Sequence, residues 1–201
     1  MKFLNIIAPV TCALILSACT DTSDVIDSGF EDVDASGNFE HRLDPKQNIS
    51  DVVFAGNDGF SYQVGVLEGE GFVAEVGMLP TTSVSALPTS GSAIYTGIYE
   101  LAGIEDSFID DDGDLHGQPI FESGVISLSA SFGNGTLKGE SNNGNLIVNG
   151  NFDGKNLDGS VEYNGIDGDL DGLIGGDRTV GIFHGHDDEN IYAGGFIADS
   201  N

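Results

Sequence analysis

Three groups of side chains in this 201-residue chain have the types and spacings that metal chemistry uses. His184-Gly185-His186 sets two imidazoles two residues apart, so on a strand both stand on one face, the spacing of zinc or iron sites built on β-sheets. Asp187 and Asp188 follow directly, and His116 is a further imidazole that could serve as a third ligand or, like His184, as an axial ligand to haem. Asp167-Gly168-Asp169-Leu170-Asp171-Gly172-Leu173-Ile174 matches the opening of an EF-hand calcium loop, with Asp167, Asp169 and Asp171 as oxygen ligands, the turn Gly next and Ile at the eighth place. The twelfth place holds Arg178 instead of a bidentate Glu, so a solvated hairpin tip competes with calcium for this stretch. Asp110-Asp111-Asp112-Gly113-Asp114 crowds carboxylates that must be hydrated, partly protonated or neutralised, and Asp110, Asp112 and Asp114 would be the ligands of a weak divalent site on a loop. Ca²⁺ or another divalent metal is therefore the cofactor the sequence allows. No nucleophile elbow or phosphate loop appears, and a non-enzyme is expected.

Thirty-three acidic against six basic residues give a formal charge of −27, which excludes nucleic acid as a partner of a basic surface and favours cations. The first residues set the compartment. Lys2, a mostly apolar run over residues 3–16 and then Leu16-Ser17-Ala18-Cys19 form a signal peptide over residues 1–18, too short and too interrupted by Asn5 and Pro9 for a membrane span. The last four of these residues resemble a bacterial lipobox. That resemblance implies lipidation of Cys19, with acyl chains anchoring the mature chain to a membrane; a plain secretory signal is the alternative. Thr20 in place of Asp after the cysteine favours the outer membrane, facing the surface or the periplasm. Cleavage removes Cys12, so no disulfide can form within the mature chain and core packing or metal must hold the fold.

The elements that must position these groups are strands. Residues 19–48 are acidic and poor in large apolar residues, and are expected to be a disordered tether. Residues 49–86 read as a short β segment, with strands near 52–55, 59–67 and 71–79, as a partial handle or a barrel extension. Residues 87–201 then hold eight strands, near 92–101, 124–132, 136–140, 145–152, 157–163, 169–174, 179–184 and 190–198. Gly133-Asn134-Gly135, Asn142-Asn143-Gly144, Gly154-Lys155 and Asn164-Gly165 supply the hairpin turns between them. Eight strands in a meander close without edges as an all-β, antiparallel up-and-down soluble barrel. The connection over residues 102–122 is expected as one long acidic loop. Tyr95, Tyr99, Phe121, Phe132, Phe152, Tyr163, Phe183, Tyr192 and Phe196 are its expected core. Register stays open: either Gly181, Phe183 and Gly185 or Val180, Ile182 and His184 face inward.

Pro88-Thr89-Ser90-Gly91-Ser92-Ala93-Ile94-Tyr95-Thr96-Gly97, the stretch from Leu137-Lys138-Gly139 to Phe152-Asp153-Gly154, and Leu170 to Gly185 with Tyr192-Ala193-Gly194-Gly195-Phe196 carry a further signal. Together, over about residues 87–198, they resemble the β-barrel domain of transferrin-binding protein B and its small lipoprotein relatives. The resemblance implies an eight-stranded soluble barrel on an outer-membrane lipoprotein, binding a partner protein or an iron or haem source. Transferrin-binding protein B has two lobes and this chain offers one barrel, so the resemblance implies a ligand other than transferrin. Two other classes compete: a calcium-stabilised envelope scaffold, and an integral outer-membrane barrel acting on lipids. The absence of Trp and the Asp199-Ser200-Asn201 ending count against the latter.

Overall fold

The computed structural model describes residues 26–40, 43, 48–67, 71–110 and 114–201. The signal peptide, Cys19 and Asp112 lie outside these. Four strands form a first sheet: β1 (Ile26–Phe30), β2 (Asn48–Ala55), β3 (Asp58–Leu67) and β4 (Gly71–Met78), in the order β1-β4-β3-β2. β2, β3 and β4 are an antiparallel meander, and β1 adds in parallel to β4, with Ile26 opposite Phe72 and Phe30 opposite Val76.

Residues 26–40 thus correct the tether expectation. A five-residue strand needs few apolar residues when its backbone pairs with a sheet edge, and beyond it Val33 and Phe39 bridge and pack with Leu79.

The remaining strands are β5 (Ser92–Ile109), β6 (Leu115–Ser131), β7 (Thr136–Ser141), β8 (Leu146–Asp153), β9 (Asn156–Tyr163), β10 (Ile166–Ile174), β11 (Arg178–His186) and β12 (Ile191–Ser200). They close into an eight-stranded antiparallel barrel in which β12 pairs with β5. Tight turns set the meander: Asn164 and Gly165 take φ of 51° and 86° between β9 and β10, the left-handed pair that matches strand twist. The expected loop over 102–122 is instead the far part of a long hairpin. β5 and β6 run 18 and 17 residues, paired out to Ile109 opposite Leu115, with a bulge between Glu105 and Phe108.

Inward residues fill the barrel. Tyr95, Tyr99, Leu101, Ile126, Leu128, Val148, Leu157, Tyr163, Phe183, Tyr192 and Phe196 form one buried cluster, with Phe132 and Phe152 partly buried against it. This fixes the register: Phe183 points in, and Val180, Ile182 and His184 point out. At Gly181 a Cβ would lie 2.3 Å from Cζ of Phe196, so the ring occupies the space a side chain would need. Phe121 departs from the expected core; it stands on the outer face of β6 and is 68% exposed.

The outward residues of β11, β12 and β5 make a second core with the first sheet. Val180, Ile182, Ile191, Ala193, Ile197, Ala102 and Ile104 pack against Val53, Phe60, Tyr62, Val64, Phe72, Ala74 and Val76. The extra strands therefore stand beside the barrel, face to face with it. Polar ties frame this seam: Tyr62 Oη donates to Glu100 Oε1 at 2.9 Å, and Arg178 bonds Asp58 of the sheet and, at 2.6 Å, Asp199 of β12.

Candidate functional site

Directly opposed residues in an antiparallel ladder share a face. Asp169 stands opposite His184 on one side and Ser160 on the other, so the register joins two groups that the sequence keeps apart. A shallow cleft of about 320 Å³ on the barrel's outer face is lined by Ser28 of β1, Ser160, Asp167, Gly168, Asp169, His184, Gly185 and His186. Apart from the glycines, every lining residue carries a hydroxyl, a carboxylate or an imidazole.

His184 is only 5% exposed, and the ring of Phe30 meets it edge-on at 4.7 Å. Its Nδ1 is buried with no hydrogen-bond partner, alone in this among the described residues. Burial holds its pKa below the ordinary 6.5; the Asp169 charge works against this and His186 adds to it. His186, Asp167 and Asp169 stand at the exposed side of the cleft.

Asp171 is not part of this group. It lies further along β10, opposite Ile182 and Asp158, and its Oδ1 accepts from the Gly172 N–H at 2.8 Å. The calcium-loop expectation fails for a geometric reason. In an extended strand alternate carboxylates sit about 6.6 Å apart in a row, and cannot wrap one ion as a loop does. Nor is the stretch a hairpin tip, because all three Asp residues lie within β10. Among the described residues, no three His, Cys, Asp or Glu side chains are already gathered as a metal cage.

Asp110 and Asp114, the ends of the acidic run, meet beyond the last paired residues of β5 and β6. The Asp110 N–H donates to the Asp114 backbone carbonyl at 3.1 Å, and the Asp114 N–H donates to Asp110 Oδ1 at 2.9 Å. His116 Nε2 lies 2.7 Å from Asp110 Oδ2 and its ring stacks on Phe108 at 4.8 Å, so His116 is engaged locally on the β5–β6 hairpin. Phe108 is 53% exposed at this tip.

Glu122, which no motif marked, organises one end of the barrel. It accepts from Tyr99, from Tyr163 Oη at 2.9 Å, from Asn143 Nδ2 at 2.8 Å and from Asn145 Nδ2 at 3.1 Å. Partial burial pushes its pKa up, but the bonds from Tyr99, Asn143, Tyr163 and Asn145 outweigh this and hold it below the usual carboxylate value. The barrel interior is packed by aromatic rings. Among the described residues, five of the seven exposed large apolar ones, Ile94, Ile98, Phe108, Phe121 and Val125, lie on β5 or β6, and Ile98 sits between Val125 and the buried Ile197.

No protein-family model and no curated protein matches this sequence. The fold, however, is shared with a solved surface lipoprotein: TM-score 0.50 and 15% identity, covering 78% of this chain and 82% of that one. The chain thus has the barrel-and-sheet fold of that surface lipoprotein. Two looser likenesses are a transferrin-binding protein B from Haemophilus parasuis (TM-score 0.45, 13% identity, 77% of this chain and 37% of that one) and HpuA from Kingella denitrificans, solved with human haemoglobin (TM-score 0.41, 14% identity, 71% and 54%). The chain spans well under two thirds of either.

Proposed function

We propose that this chain is a non-catalytic lipoprotein, anchored to the outer membrane through Cys19, whose barrel binds a partner protein or an iron or haem source. The observation that carries the reading is the β5–β6 hairpin: it runs past its neighbours in the barrel, and along it the exposed apolar side chains gather. Scattered surface apolar residues are ordinary, but a set concentrated on one hairpin is the form of a docking surface. Phe108 and Phe121 supply the aromatic anchors that dominate interface energetics. The charge of −27 selects a partner with a basic rim and speeds its approach. The shared fold with a surface lipoprotein and the sequence resemblance to transferrin-binding protein B barrels support the same reading.

The test immobilises the purified protein and measures binding of haemoglobin, haemin and transferrin, with Phe108→Ser/Phe121→Ser as the paired variant. The expected result is saturable binding of haemoglobin or haemin, weakened tenfold or more by the double change, and none of transferrin. Equal binding by the parent and the variant would remove the hairpin from the reading.

A further inference from the structure

From the cleft between β10, β11 and β1 we infer a binding site for a divalent transition-metal ion, Zn²⁺ foremost, held by His184, His186 and Asp169 with water completing the shell. The inference is independent of partner binding through the hairpin, which lies on other strands. Four facts carry it.

First, the backbone sets the ligands at usable separations. His184 and His186 alternate on one strand face, and Asp169 is the direct cross-strand partner of His184. Directly opposed residues have Cβ atoms about 4.5–5.5 Å apart, and alternate ones Cα atoms about 6.6 Å apart. From such positions imidazole nitrogens and a carboxylate oxygen can reach one ion at about 2.0–2.2 Å. The side chains are not gathered around a point, so binding would proceed by rotation of the exposed His186 and Asp169 between staggered wells, without backbone movement.

Second, His184 is nine-tenths buried at the inner wall of the cleft and its Nδ1 lacks a partner. Buried polar atoms are nearly always satisfied, and an exception needs a physical reason, of which a bound ion or water is one. Third, the lining side chains are all polar, with the Phe30 ring packed on His184 beside them, and Ser28 and Ser160 offer hydroxyls to orient bound water or the carboxylate. Fourth, two imidazoles with a carboxylate suit zinc, nickel or copper, whereas calcium demands an all-oxygen shell. Because Ser28 belongs to β1, the ion would also sit where the first sheet meets the barrel wall.

The experiment titrates the purified protein with ZnCl₂ by calorimetry, alongside His186→Gln, Asp169→Asn and His116→Gln, each checked by circular dichroism for an unchanged fold. His186 and Asp169 are exposed, so these variants separate ligand loss from misfolding; His184→Gln is a supplementary arm. One Zn²⁺ per chain is expected, weakened tenfold or more by His186→Gln and by Asp169→Asn and unchanged by His116→Gln. Calcium chloride should give no comparable binding. Three results would overturn the inference: no saturable zinc binding, binding that survives both cleft variants, or binding abolished by His116→Gln alone.

Discussion

Phe60→Ala is the sharpest probe of how the first sheet and the barrel depend on each other. Phe60 is 0% exposed, and its ring lies over Gly195 of β12, where an added Cβ would come within 2.8 Å of the ring carbons. Tyr62 stands beside it, with ring centroids 6.3 Å apart. A buried phenylalanine removes on the order of 200 Å² from water, worth about 5 kcal/mol at about 25 cal/mol per Å². Truncations of this kind cost about 3–5 kcal/mol, because the backbone of β12 cannot collapse into the gap. For a body of this size each kcal/mol moves the midpoint by about 2–4 °C, so the variant should melt roughly 6–20 °C lower. The assay is thermal denaturation followed by near-ultraviolet circular dichroism, which reports the tyrosines of both cores, in the parent and the variant. A single transition that moves down as one is the expected outcome. A shift below about 2 °C, or two separate transitions in the parent, would refute the claim that the outward faces of β11 and β12 are a core shared with the sheet.

Two further predictions follow from the barrel interior. Glu122→Gln removes a carboxylate whose folded pKa lies below the ordinary 4.5, so its stabilisation is full above that value and fades as pH falls through the folded one. The variant should lose about 1 kcal/mol at neutral pH, discounted for solvent screening, and denature with a flatter dependence on pH below about 4.5. A parallel acid limb in urea titrations of the two proteins would contradict it. Gly181→Ala drives a methyl into the Phe196 ring and should cost about 1–3 kcal/mol, and Phe196→Leu in the same chain should recover part of that cost. Strict additivity of the two changes would show that the ring does not rest on Gly181.

Strand existence was legible because hairpin chemistry is local. Asn164-Gly165 and Gly154-Lys155 announce their turns, and the runs between them alternate. Register was not, because glycines stand on both faces: Gly181 faces inward and Gly195 outward, which blurs the alternation that would show which side is buried. β1 escaped because its stability comes from parallel pairing to a strand more than forty residues away, not from its own composition. The reach of β5 and β6 was hidden by Glu105, Asp106 and the Asp run, which read as loop; a bulge with Asp106 at φ 51° carries the pairing past Glu105 and Asp106 to Ile109. For the candidate site the individual histidines and aspartates were visible, but their meeting was not. Only the pairing of Asp169 with His184 turns two separate motifs into one surface.

The parallel placement of β1 has a mechanical meaning. Five consecutive residue pairs join it to β4, and β4 belongs to the sheet whose buried face rests on β11 and β12. A pull on the amino-terminal end of β1 along its own axis loads those backbone bonds in shear, all together, instead of peeling them one after another. Tension on that end is thereby shared across the strand and passed through the apolar seam into a closed barrel with no free edge at which to start unravelling. The first sheet acts as the coupling through which such a load reaches the barrel.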